Sequence, residues 1–185
     1  TFTVKSDEVS KIDYVPGQYI TVDVQVPELP YRAKRHYSIV NVEDGKLTFA
    51  VRKEERDGNR GEVPTYLHEQ IEEGSTINLS APVGTFSVEN IEKAQLFIGS
   101  GIGVTPLFSM YTTAAKSGAD AHFLQVADDK NNIAFEEKLK NIAAENQAEL
   151  STHLRDEDGY IFKEQLEQYL KDNQEIYVCG GPTFI

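Results

Sequence analysis

The chain has 185 residues, enough for one large domain or two small ones. Thirty Asp and Glu against 18 Lys and Arg give a formal net charge of -12, which argues against duplex nucleic acid or an anionic membrane surface as partner. No apolar run is long enough to span a bilayer, and the single cysteine, Cys179, excludes an internal disulfide and any zinc or iron–sulfur site held by this chain's own thiolates. The start, TFTVKSDEVS, lacks a basic stretch followed by an apolar one, so no signal peptide is expected and a reduced, cytoplasmic setting is.

In chain order, the first half reads as β-rich. YITVDVQV (19–26), RHYSIVNV (35–42) and KLTFAVRK (46–53) read as strands punctuated by glycine, proline and Glu-Asp-Gly. KEERDGNRGE (53–62) reads as a solvated loop. PTYLHEQIEEG (64–74) predicts one short helix, with Pro64 in its first turn and Gly74 at its end. STINLSAPVG (75–84) predicts a further strand.

From about residue 91 the rhythm changes. AQLFIG (94–99), AHFLQVA (121–127), AELSTHL (148–154) and EIYVCGG (175–181) read as strands. The segments 104–118, 133–146 and 162–172 between them read as helices. Strands alternating with helices imply right-handed crossovers and a parallel sheet. The expected architecture is therefore an antiparallel β-barrel over 1–90 followed by a parallel α/β domain over 91–185.

GSGIGVTP (99–106) follows an apolar strand and opens a helix. A turn of this kind exposes main-chain N–H groups, and the helix N-terminus adds positive dipole, so an anion is held without Lys or Arg. The net charge of the chain does not forbid this, because exposed charges are screened beyond about 8–10 Å. The spacing is G-x-G-x-G, neither the dinucleotide G-x-G-x-x-G nor a G-K-[ST] loop. Taken alone, the turn is equally compatible with glycines that only permit close packing. IYVCGGP (176–182) is a second apolar strand ending in glycines. Ligands of parallel sheets bind at the carboxyl ends of strands, which places Cys179 at that edge, either beside a ligand or as a small buried hydrophobe. RHYS (35–38) sets Arg35 and Tyr37 on one face of a strand and His36 and Ser38 on the other. Arg35 could grip a pyrophosphate and Tyr37 could carry a planar ring; an exposed cation beside an ordinary strand tyrosine is the alternative. His36, His68, His122 and His153 are scattered and build neither a metal nor a haem site.

Together PGQY (16–19), RHYS, AVRK (50–53), GEVPTYLH (61–68), APVGTF (81–86), GSGIGVTP and CGGP resemble, in this order and across the whole chain, the ferredoxin–NADP reductase-like superfamily, and within it the reductase region of bacterial flavohemoglobins. The resemblance implies an FAD-binding barrel and a nicotinamide-binding α/β domain. It implies that Arg35 contacts the FAD pyrophosphate, that Tyr37 packs on the flavin ring and that Ser38 lies near flavin N5. Gln18 and Tyr19 would lie near the flavin too. Gly61, Val63 and Thr65, at the turn and helix N-terminus, would take up more of the pyrophosphate. Gly99, Gly101, Gly103, Thr105 and Pro106 would hold the nicotinamide dinucleotide, with Cys179 and Gly180 near the nicotinamide.

The implied activity is hydride transfer from NAD(P)H to FAD, with single electrons passed to the haem of a globin domain, as in nitric oxide dioxygenation. The alternatives are an electron-transfer component serving an oxygenase or another one-electron acceptor, or a non-catalytic flavin- or nucleotide-binding module. In three respects the chain departs from the pattern. The family's G-x-x-S serine is replaced by Pro64, with Thr65 next. The resemblance also implies barrel sequence before Thr1 and a helix and strand after Ile185, and the globin is absent from this chain. Asp128 and Asp129, after the second α/β strand, would repel a 2′-phosphate, so NADH is expected in preference to NADPH; a solvated loop is the other reading of these two residues.

Overall fold

The computed structural model describes residues 1–53, 55–56 and 59–185. It divides into two compact units, Thr1–Phe86 and Ser87–Ile185.

The first unit is a curled antiparallel sheet. Its strands are β1 (Phe2–Lys5), β2 (Tyr19–Val24), β3 (Ala33–Glu43), β4 (Lys46–Phe49) and, after α1 (Glu62–Gln70), β7 (Asn78–Leu79). They pair in the order β1-β4-β3-β2-β7. Two short strands, β5 (Glu55–Arg56) and β6 (Asn59–Arg60), form a separate ribbon where a loop was expected; Glu54, Asp57 and Gly58 of that stretch lie outside the described residues. Alternation explains β2: Ile20, Val22 and Val24 are buried, and Tyr19, Thr21 and Asp23 are half-buried on the other face. Ile39, Leu47, Phe49, Val63 and Leu67 complete this core. The stretch 75–84 yields only two strand residues. Beyond Leu79 the Ser80 hydroxyl, not a main-chain carbonyl, accepts the Thr21 N–H at 2.9 Å, and the chain rejoins β2 through a bridge between Tyr19 and Val83. Helix α1 starts two residues ahead of the expected Pro64, with Gly61 as its N-cap, and ends at Gln70.

The second unit carries β8 (Gln95–Ser100), α2 (Val104–Lys116), β9 (Ala121–Ala127), α3 (Glu136–Asn146), β10 (Glu149–Leu154), α4 (Arg155–Asp158), α5 (Lys163–Leu166) and β11 (Glu175–Cys179). All strand pairings are parallel, in the order β10-β9-β8-β11. The chain moves from β8 outward to β9 and β10, then returns to the other side of β8 as β11. A sheet that reverses direction in this way opens a crevice at the carboxyl ends of the two strands flanking the reversal. Those ends are Ser100 of β8 and Cys179 of β11. Beneath them Phe97 stacks on Tyr177 with centroids 5.3 Å apart, and Tyr111 meets Phe97 and Phe123 edge-on.

The expected helix over 162–172 breaks up. It forms one turn of α5 and then a 3-10 turn over Glu167–Tyr169. Four helical residues are too few to propagate a helix unaided, and Tyr169 is drawn inward against His122.

Candidate functional site

In the second unit, β8 runs out at Ser100, a 3-10 turn covers Gly101–Gly103, and α2 begins at Val104. Gly101 has φ +56°, the left-handed region that favours glycine. Gly103 has an ordinary φ of -61° but no room: a Cβ there would fall well inside 3.0 Å of the Cys179 carbonyl and the Gly180 amide. So the turn after β8 lies directly against the end of β11. Gly99 is closely roofed by Val104 and Leu107, and Gly180 by the Phe184 ring. No side chain caps α2. Thr105 is buried and donates its hydroxyl to the Ile102 carbonyl at 2.7 Å, which fixes the turn, and Pro106 is buried in the first turn of α2. Gly99, Gly101, Gly103, Thr105, Pro106, Cys179 and Gly180 are thus gathered at one edge. Burial, opposed by a weaker bond from the Gly180 amide, pushes the Cys179 thiol up, so it is not poised as a nucleophile.

Asp128 and Asp129 follow β9 at the same sheet edge. Asp128 holds Arg155, the first residue after β10, at 2.7 Å, and the Arg155 guanidinium lies 5.3 Å from the Tyr160 ring centroid. Asp129 is turned onto its own loop, accepting the Asn131 N–H at 2.7 Å and the Asn132 amide at 2.8 Å. The sequence reading missed Arg155. Its signal is positional: it is the first charge after the third α/β strand, where a ligand-facing group belongs.

In the first unit the register of β2 and β3 sorts the RHYS residues as alternation requires. Tyr37 and Arg35 stand opposite Ile20 and Val22, while Ser38 and His36 stand opposite Tyr19 and Thr21. The Tyr37 ring stacks on Phe49 at 5.5 Å, and Phe49 stacks on Phe2 beyond it. Arg35 is exposed, with a guanidinium bond to the Lys34 carbonyl at 2.8 Å. Gln18 has both ends of its amide engaged: its oxygen accepts the Val15 N–H at 3.0 Å and its nitrogen donates to the Gly84 carbonyl at 3.2 Å. Gly84, whose role the sequence did not disclose, lies against the Tyr19 ring, 3.3 Å from where its Cβ would be. At the start of α1, Val63 is buried in the core, Gly61 has no capping side chain, and the Thr65 hydroxyl is buried with no hydrogen-bond partner among the described residues. An orphaned hydroxyl one turn into an uncapped helix suits a phosphate oxygen.

Each histidine has a protein partner: His36 the Thr21 hydroxyl, His68 the Val51 carbonyl, His122 the Ser151 hydroxyl and His153 the Gly159 carbonyl. Among the described residues no group of three or more His, Cys, Asp or Glu could hold a metal ion, and no helix is long and apolar enough to cross a membrane.

Residues 1–88 match the oxidoreductase FAD-binding domain, and residues 97–185 the oxidoreductase NAD-binding domain. The chain belongs to the FAD- and NAD-binding oxidoreductases. It is similar to a flavohemoprotein of Halalkalibacterium halodurans, 31% identical over 93% of this chain and 47% of the relative, and to one of Rhodopirellula baltica, 32% identical over 97% and 49%. The chain spans about half the length of these curated relatives. Among solved structures it is similar to the flavohem-like FAD/NAD-binding domain of nitric oxide dioxygenase from Vibrio cholerae, with TM-score 0.85 and 27% identity over 94% of this chain and 76% of that one. The cytochrome b5 reductase domain of Ulva prolifera nitrate reductase shares the fold, with TM-score 0.81 and 15% identity over 99% of this chain and 81% of that one.

Proposed function

We propose that this FAD- and NAD-binding oxidoreductase moves hydride from NADH to FAD and passes electrons singly to the haem of a globin domain, as the reductase part of a nitric oxide dioxygenase. The observation that carries the reading is the β8–β11 crevice, where Gly103 leaves main chain of the two strand ends in mutual contact. When bound, the flavin supplies the chemistry, accepting hydride at N5 and releasing electrons one at a time. The chain's own residues bind and orient. In this reading Arg35 neutralises the FAD pyrophosphate, and the α1 N-terminus and Thr65 hydroxyl take its remaining oxygens. Tyr37, backed by Phe49, and Tyr19, backed by Gly84, limit where a flavin ring can lie. The Ser38 hydroxyl would donate at N5, and α2 would face its N-terminus, which no side chain caps, to the nicotinamide dinucleotide.

Preference for NADH over NADPH is supported by the pairing of Arg155. A guanidinium at this edge would attract a 2′-phosphate, but Asp128 already neutralises it. A cytoplasmic setting fits a chain whose one cysteine is held as a half-buried thiol.

Two variants separate binding from chemistry. Arg35→Ala should weaken FAD binding by about 1.5–3 kcal/mol, the worth of a charged hydrogen bond, read by fluorescence titration. Ser38→Ala should retain FAD and slow its reduction by NADH in stopped flow. Equal reduction rates in Ser38→Ala and the parent would contradict the Ser38 assignment, and unchanged FAD affinity in Arg35→Ala would contradict that of Arg35.

A further inference from the structure

At the amino-terminal end of the parallel sheet, away from the strand ends that carry the glycine turns, β9 and β10 bring three side chains into line. His122 pairs with Glu149 across the strands, and Ser151 lies two residues further along β10 on the same face. The Ser151 hydroxyl is 2.8 Å from His122 Nε2, and Glu149 Oε2 is 3.1 Å from His122 Nδ1. A carboxylate only accepts, so Nδ1 carries the proton; in the neutral ring Nε2 is then the acceptor, and the Ser151 O–H donates to it. The imidazole is held. It is buried, the Tyr169 ring meets it edge-on with centroids 5.1 Å apart, and Lys171 steadies Glu149 by bonding its other oxygen at 3.2 Å. Burial also holds the His122 pKa below its ordinary value, which keeps the ring a free base at neutral pH. Ser151 itself is only half-buried.

We propose that Ser151, His122 and Glu149 form a nucleophilic site that takes the acyl group of small activated oxygen esters, an activity separate from the flavin chemistry. Hydroxyl, general base and orienting carboxylate in hydrogen-bonded sequence are the arrangement that activates a serine. Ser151 Oγ forms a C–O bond to the acyl carbon as its proton passes to His122 Nε2. The ester C–O bond breaks, and the leaving oxygen takes that proton away. Water then gives a proton to Nε2 as it adds to the acyl-serine carbonyl; Ser151 departs, recovers the proton, and the carboxylic acid is released. Glu149 keeps the imidazole oriented and offsets its positive charge in both halves.

The probe is p-nitrophenyl acetate with the full chain, which needs no cofactor, so this result stands apart from the flavin reading. The expected result is a burst of p-nitrophenolate with one acetyl group located on Ser151 by peptide mass spectrometry. Ser151→Ala should abolish the burst, and His122→Gln should slow it about a hundredfold, the worth of a general base. Glu149→Gln, at a largely exposed side chain, serves where His122→Gln fails to fold, and should slow the burst at least severalfold with an unchanged circular dichroism spectrum. A parental burst in Ser151→Ala, or acetylation confined to lysines, would overturn the proposal.

Discussion

Gly103 and the Cys179 carbonyl are in direct main-chain contact, so that the residue just before α2 and the residue ending β11 leave no space for a methyl group between them. Two strand ends 79 positions apart in sequence, Ser100 and Cys179, are thereby fixed at one spacing. We therefore expect Gly103→Ala to force backbone apart, because no flexible side chain stands there to yield. Overpacking of this kind costs about 1–3 kcal/mol. The variant should melt at a lower temperature and show a raised KM for NADH, while its FAD content stays that of the parent. An unchanged KM would separate this contact from dinucleotide binding.

Thr65 makes a prediction with two signs. Its buried hydroxyl has no partner among the described residues, a condition that costs about 1–3 kcal/mol. Thr65→Val replaces that hydroxyl with a methyl of similar shape. The FAD-free protein should therefore become more stable in thermal denaturation, while FAD affinity falls severalfold. A loss of stability without a change in FAD affinity would show that the hydroxyl serves the fold alone.

Asp128→Asn removes the charge that pairs with Arg155. The guanidinium then becomes available to a 2′-phosphate, at about 1.5 kcal/mol or more for a charged hydrogen bond, which is about tenfold. The ratio of kcat/KM for NADPH to that for NADH should rise by about that factor. An unchanged ratio would detach the Asp128–Arg155 pair from cofactor choice.

His122 gives the second unit an acid sensitivity. Burial lowers its pKa; Glu149 and Asp120 oppose that fall, Lys171 adds to it, and the Ser151 hydroxyl and Tyr169 ring complete its surroundings. The unfolded chain binds this proton near the ordinary value of 6.5, and the folded chain only at lower pH. Above 6.5 the group does not oppose folding; as pH falls below it, the unfolded state is favoured increasingly until the folded pKa is reached. The thermal midpoint should thus drop more steeply below pH 6.5 in the parent than in His122→Gln. Parallel pH profiles would contradict the assignment.

How much of this was legible depended on what each residue's signal rested on. The strand 121–127 was read with its observed limits because all seven residues are buried, His122 and Gln125 among them, and Asp128 ends the run with a charge. The RHYS faces followed from alternation alone. By contrast, the pattern of 162–172 looks helical, yet Tyr169 leaves the helix to pack on His122, a tertiary demand that periodicity does not encode. Gly103 illustrates the same limit. Its sequence marks a turn, but its φ is unremarkable, and the reason for glycine is a carbonyl from a strand 76 residues later. Arg155 was missed because its partner, Asp128, follows the neighbouring strand β9, 27 positions earlier in sequence. The FAD and dinucleotide assignments came from motif order across the chain, and no single motif carried them.

The most direct test of the central claim is anaerobic stopped-flow mixing of the FAD-loaded chain with NADH, followed at the flavin absorbance. The account predicts that NADH bleaches the flavin, faster than NADPH does at equal concentration. A chain that refuses FAD, or that holds oxidised FAD unchanged in excess NADH, would contradict it.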